Sequence, residues 1–186
     1  MANWRSPLAL AAFSIVIVAV ATAILAPSAT PSAEAQRTAA FLAAEVSAGR
    51  MSDCEALARF AEAPGRTVAD WNVFVPAGKV NWPLGAPIAL VGVAQPVKLE
   101  GVESGYLPRF RKDYGPGQPE GRPHDQAHHF APYFILGARI PIWLALPFLR
   151  AAEREESWGD LMLGREALRM GSMGTLSGFR ESLCRA

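Results

Sequence analysis

All three histidines of the chain fall in one stretch, His124-Asp125-Gln126-Ala127-His128-His129-Phe130, directly after Pro123. On a helix capped by Asp125, His124 would meet His128 and Asp125 would meet His129, because residues four apart share a helical stripe. Three chemistries compete for these side chains. Imidazoles four apart suit a metal ion, with a carboxylate from Asp125 or Glu120 completing the set, but no H-E-x-x-H motif supplies a general base. His129 oriented by Asp160 would make an acid/base pair for hydrolysis, with Ser172 or Ser177 as nucleophile, although the G-x-S-x-G elbow is missing. The third reading is structural. His129 then bonds Asp160 or a backbone carbonyl inside a helix junction, Asp125 and Asp160 cap helices, and His124 and His128 face solvent.

The elements that must position these residues begin with an N-terminal membrane-targeting segment. Leu8 to Ala26 is apolar and uncharged, follows Arg5 and precedes Pro27-Ser28-Ala29-Thr30-Pro31. At 1.5 Å per residue it spans about 28 Å, close to the hydrocarbon thickness of a bilayer. It reads as a membrane anchor or as a cleaved secretory signal, for which Ala33-Glu34-Ala35 before Gln36 would supply the small residues at the cut. In both cases Arg5 holds the N-terminus in the cytoplasm and the remainder lies outside it, in the membrane-bound, periplasmic or secreted envelope fraction. The expected division is 1–36 as signal or anchor with linker, and 37–186 as one exported, mainly α, loop-rich domain.

That compartment sets how the two cysteines are read, since oxidising surroundings favour disulfides. Cys54 and Cys184 would close a loop worth about 4 to 5 kcal/mol in chain entropy. Two separate buried thiols are the alternative, and a zinc site lacks a CxxC pair.

Within the exported part, Thr38 to Ser47 predicts a short helix stopped by Gly49. Ser52 to Glu55 carries the S-x-x-E signature of a helix start, followed by apolar Leu57, Phe60 and Ala61 and a Pro64-Gly65 stop. Scattered prolines and glycines from Thr67 to Arg111 predict loops, with Ile88 to Val91 and Val97 to Leu99 as short strands or a buried turn. Trp71, Phe74 and Trp82 are expected in the core. Lys112 to Pro123 reads as an exposed connector, and Arg150 to Glu156 as a solvated charged face.

Phe130 to Leu149 is a second apolar run, but Arg139 and three prolines interrupt it, which predicts a kinked core helix rather than a second span. Were it to span, the C-terminus would return to the cytoplasm and the disulfide would lose its rationale. Asp160 to Met170 predicts a further helix ended by Gly171, and Thr175 to Cys184 a short last one.

Together, D-Q-x-x-H-F at Asp125 to Phe130, Gly137, D-x-x-L-G-x-x-A at Asp160 to Ala167, Gly171 and Leu183-Cys184 resemble a group of uncharacterised bacterial proteins with no established activity. The pattern of that group opens N-Q-x-R-H-F, so Asp125 stands in place of Asn and His128 in place of Arg. Gly105 to Pro108 and Asp53 to Leu57 are also similar, so the likeness runs from about residue 52 to 184. It implies a mostly helical domain with paired cysteines, and it weakens a metal site built on His124 or His128, which have no counterpart.

Lys and Arg number 18 against 17 Asp and Glu, a formal charge of +1, and 51% of residues are hydrophobic. No nucleic-acid footprint follows from that balance. The expectation is an envelope binding or structural module, partnered by the membrane through residues 8–26 and by an envelope protein, with no cofactor. The rival is an envelope hydrolase acting through His129 and Asp160, or a metal-binding domain using His124, Asp125 and His128.

Overall fold

The computed structural model describes residues 30–75, 78–81, 87–90, 93, 95–99, 126–152, 158–176 and 178–184. The apolar run 8–26, Trp82, the 105–108 motif, the connector with Glu120, the residues His124, Asp125 and Ser177, and the charged stretch from 153 lie outside the described residues. What is described is mainly helical: α1 (Ala33–Ser47), α2 (Asp53–Glu62), a 3-10 helix (Val68–Phe74), strands β1 (Gly78–Asn81) and β2 (Pro87–Leu90), α3 (Gln126–Arg139), α4 (Ile142–Ala152), α5 (Trp158–Met173) and α6 (Phe179–Leu183). The strands form an antiparallel pair with Gly78 opposite Leu90 and Asn81 opposite Pro87.

Helix α1 starts earlier than the Thr38 expected from the sequence. Ser32 is its N-cap, accepting from the Ala35 N–H at 3.1 Å, which satisfies a first-turn amide. Residues Ala35, Ala39, Leu42 and Val46 then form the buried stripe, at the i, i+4, i+7 spacing of one helix face. Ser52 caps α2 as anticipated, accepting from the Glu55 N–H at 3.1 Å. The Glu55 carboxylate, expected to reach back to the cap, turns instead to Arg59 at 2.8 Å and to Arg180 of α6.

The core is centred on Trp71. Its ring centroid lies 5.3 Å from Phe60 of α2, 5.3 Å from Phe130 and 4.9 Å from Phe134 of α3, and 6.4 Å from Phe179 of α6. One indole thus joins three helices to the 3-10 helix that carries it. Cys54 and Cys184 meet at disulfide distance beside this cluster, with Cα atoms 5.7 Å apart, and tie the start of α2 to the end of α6.

The second apolar run divides into two helices, α3 and α4, where a single kinked helix was expected. Proline disfavours helical geometry in the residue before it, so Ile140 ends one helix and Pro141 opens the next, accepting from Leu144 and Ala145. Among the described residues no helix is long and apolar enough to cross a membrane. Ala145 and Leu149 bury one side of α4 with Ile140 and Leu168, while Trp143 (66% exposed) and Pro147 point outward.

Helices α3 and α5 make the most extensive contact among the described elements. A Cβ built on Gly171 would sit 2.1 Å from the Phe134 carbonyl oxygen, and one on Gly137 would sit 2.2 Å from that of Leu168. These glycines let the two backbones touch. Gly171 is therefore a crossing point inside α5 rather than the stop read from the sequence; the chain turns at Gly174, whose φ of 62° is left-handed.

Candidate functional site

Of the residues singled out for chemistry, the described ones His128, His129, Asp160 and Ser172 lie on α3 and α5. His129 lies in the first turn of α3, half-buried, and its Nε2 is 2.8 Å from the main-chain oxygen of Asp160 in the first turn of α5. A carbonyl only accepts, so Nε2 carries the proton and donates. The Tyr133 ring, one turn further along α3, stands 5.4 Å from the imidazole. Asp160 and Gln126 are both buried, and His128 is half-buried rather than solvent-facing. Ser172 is exposed and its hydroxyl donates to the Arg169 carbonyl at 2.8 Å, a local helix bond. Among the described residues no three His, Cys, Asp or Glu side chains converge as metal ligands; His124, Asp125 and Glu120 lie outside them.

A different part of the fold holds unspent polar atoms. Between the end of α2, the start of the 3-10 helix and the turn after α5 lies an open pocket of about 430 Å³, lined among others by Ala61, Arg66, Val68, Trp71, Phe134 and Leu176. Arg66 lies on its lining, following the loop that Pro64 and Gly65 create, where φ at Gly65 is 71°. Its side chain is only 4% exposed. The guanidinium carbon sits 4.1 Å over the Phe60 ring, and Nε donates to the Phe60 carbonyl at 3.2 Å.

Asp70 balances that buried charge at arm's length, with Oδ2 4.0 Å from Arg66 Nη1. Its carboxylate is already engaged: Oδ1 accepts from the Ser32 N–H at 2.9 Å, and Oδ2 from the Thr67 N–H at 2.9 Å and hydroxyl at 3.0 Å. Burial works to raise the Asp70 pKa, but the amides of Thr67 and Ser32, helped by their hydroxyls, outweigh it and hold the carboxyl below its ordinary range. With Asp70 so occupied, Arg66 Nη2 and Trp71 Nε1 are both buried and have no hydrogen-bond partner among the described residues. A buried donor left unpaired costs roughly 1 to 3 kcal/mol, more when charged.

Sequence reasoning placed Trp71 in the core and did not single out Arg66. The one local signal was Arg66 standing beside a Pro-Gly turn and four residues before Asp70, and charged residues next to turns are usually solvated. No family model, curated protein or solved structure matches the chain.

Proposed function

We propose that the chain is a single-pass, membrane-anchored cell-envelope protein whose helical domain works outside the cytoplasm as a binding or interaction module. The observation that carries the anchored form of this reading is the place of Ser32. It caps α1, and its N–H bonds Asp70 far along the chain, while Ala35 is fully buried. Cleavage between Ala35 and Gln36 would remove the cap, the bond to Asp70 and a core residue together. These contacts argue against a cut at that site, and an uncut chain keeps the apolar run 8–26 attached.

Export is supported by the pairing of Cys54 with Cys184, a state that oxidising compartments maintain. A module rather than a hydrolase is supported by His129, whose bond to the main chain of Asp160 serves the helix junction. Trp143 and Pro147 on α4 and the exposed Trp158 offer apolar surface for partners.

A reporter that is active only after export, fused after Ala186, tests the topology, and fractionation of the same fusion tests the anchor. We expect reporter activity in the membrane fraction at the mass of the uncut chain. A fusion active only in the cytoplasm contradicts export, and a soluble product beginning at Gln36 contradicts the anchor.

A further inference from the structure

We propose that the outward face of α4 docks on the phospholipid bilayer that anchors the chain, lying flat in the boundary between headgroups and acyl chains. This contact rests on the anchored reading above and adds to it a second, non-spanning membrane contact made by the domain itself.

Trp143, Leu146, Pro147 and Arg150 stand at i, i+3, i+4 and i+7 and so form one stripe along α4. Trp143 is 66% exposed, Pro147 and Arg150 are exposed and Leu146 is half-buried. On the opposite side Ala145 and Leu149 are closed against Ile140 and Leu168. From Ile142 to Leu149 the helix carries no charged residue. A helix that is apolar all round is normally buried all round, and a surface helix normally turns charges outward. Helix α4 does neither, which leaves an apolar face that needs an apolar neighbour.

The side chains on that face fit a lipid surface. Tryptophan joins a large apolar ring to one N–H donor, the combination that suits the headgroup level of a bilayer. Arg150 closes the stripe, and Arg139 is half-buried at the end of α3; neither makes an ion pair among the described residues. A guanidinium pairs well with phosphate oxygens, which every phospholipid carries, while its stem lies along apolar surface. Glu153, Glu155 and Glu156 follow α4 around Arg154, so this end of the helix has no positive excess, and apolar contact rather than attraction to anionic lipid carries the docking.

The bilayer is also the surface within reach. The apolar run ends at Ala26, six residues before Ser32, whose N–H is fixed to Asp70. Six residues extend at most about 22 Å, so in an anchored chain the bilayer meets the domain at an effective concentration with which any diffusing partner must compete. The 11 residues of α4 make only about 16 Å of helix, roughly half the hydrocarbon thickness, so the helix lies in the plane of the surface rather than across it.

The test places a nitroxide on Pro147→Cys in the full-length chain, reconstituted in phosphatidylcholine vesicles, with Ala44→Cys as the reference. Ala44 is exposed on α1, which packs on α2 and the 3-10 helix, and Cys54 and Cys184 are paired and do not take the label. Collision rates are read with oxygen, which concentrates in hydrocarbon, and with a water-soluble nickel chelate present on both sides of the vesicle. We expect position 147 to lie about 5 to 10 Å below the headgroup level and position 44 to stay in water. Adding Trp143→Ser to the labelled chain should move position 147 back toward water. Should Pro147→Cys not fold, Arg150→Cys on the same stripe reads the same contact and should be shielded from the nickel chelate relative to position 44. A label at 147 as open to the chelate as that at 44, or a depth unchanged by Trp143→Ser, would overturn the proposal. So would line broadening at 147 that grows with the protein-to-lipid ratio, which would assign the face to a second copy of the chain. An alkaline wash keeps this outcome apart from the anchor: labelled chain that stays on the vesicles with position 147 in water removes the docking alone, and chain that washes off removes the anchored reading.

Discussion

At the α3–α5 crossing and around the buried Arg66 and Trp71 the same domain follows opposite rules. Where Gly137 and Gly171 meet the facing main chain there is no room for a single added carbon, and His129 is tied to the Asp160 carbonyl. Around Arg66 and Trp71 two strong donors are buried and have no hydrogen-bond partner among the described residues. Close packing with satisfied polar groups is what stability selects, and a buried unpaired donor costs stability. The contrast separates satisfied from unsatisfied packing within one fold.

The sharpest way to break this contrast is to add one carbon at the crossing. Gly171→Ala should cost on the order of 5 kcal/mol or leave the domain unfolded, because the new carbon meets a backbone oxygen that cannot rotate away. Gly174→Ala, at a left-handed turn with open space around it, should cost only about 1 to 2 kcal/mol. Equal melting temperatures for the two variants would mean that the helices are not in backbone contact.

Next in size is the covalent tie. Cys54→Ser should lower stability by about 4 kcal/mol, less any strain released, and thiol labelling of the unfolded, unreduced parent should find no free thiol. Two titratable thiols there would contradict the pairing.

A smaller effect concerns the carboxylate beside Arg66. Because the folded Asp70 carboxyl is held below its ordinary range, its stabilisation is complete above that range and is lost as pH falls through the lower folded value. Asp70→Asn should therefore cost about 1 to 3 kcal/mol at neutral pH and flatten the acid limb of the melting curve. A parent and variant with the same acid limb would show that Asp70 is not held ionised.

How far this division could be read in the letters alone depends on what each residue's neighbours along the chain reveal. Ser52 announces its helix because a cap acts on an amide three residues away, and the two cysteines announce each other because no other cysteine competes. The start of α1 is hidden: Ser32, Ala33 and Ala35 have the small side chains of a cleavage site, and only the distant Asp70 and the burial of Ala35 show them to be part of the fold. Gly171 was read as a stop for the same reason, since a glycine that ends a helix and one that lets a second backbone approach look alike until the partner helix is placed. His129 drew attention by its type, and its partner proved to be a main-chain oxygen that every residue possesses. Arg66 drew none, because its burial is created by Phe60 beneath it and by the turn after α5, neither of which is adjacent in sequence in the sense a pattern can register.

The central claim is that His129 belongs to the scaffold, holding α3 to α5 through the Asp160 main chain. It is tested most directly by melting curves of the parent and the His129→Gln protein recorded side by side. We expect His129→Gln to lose about 1 to 2 kcal/mol of stability. A His129→Gln protein that melts like the parent would contradict it.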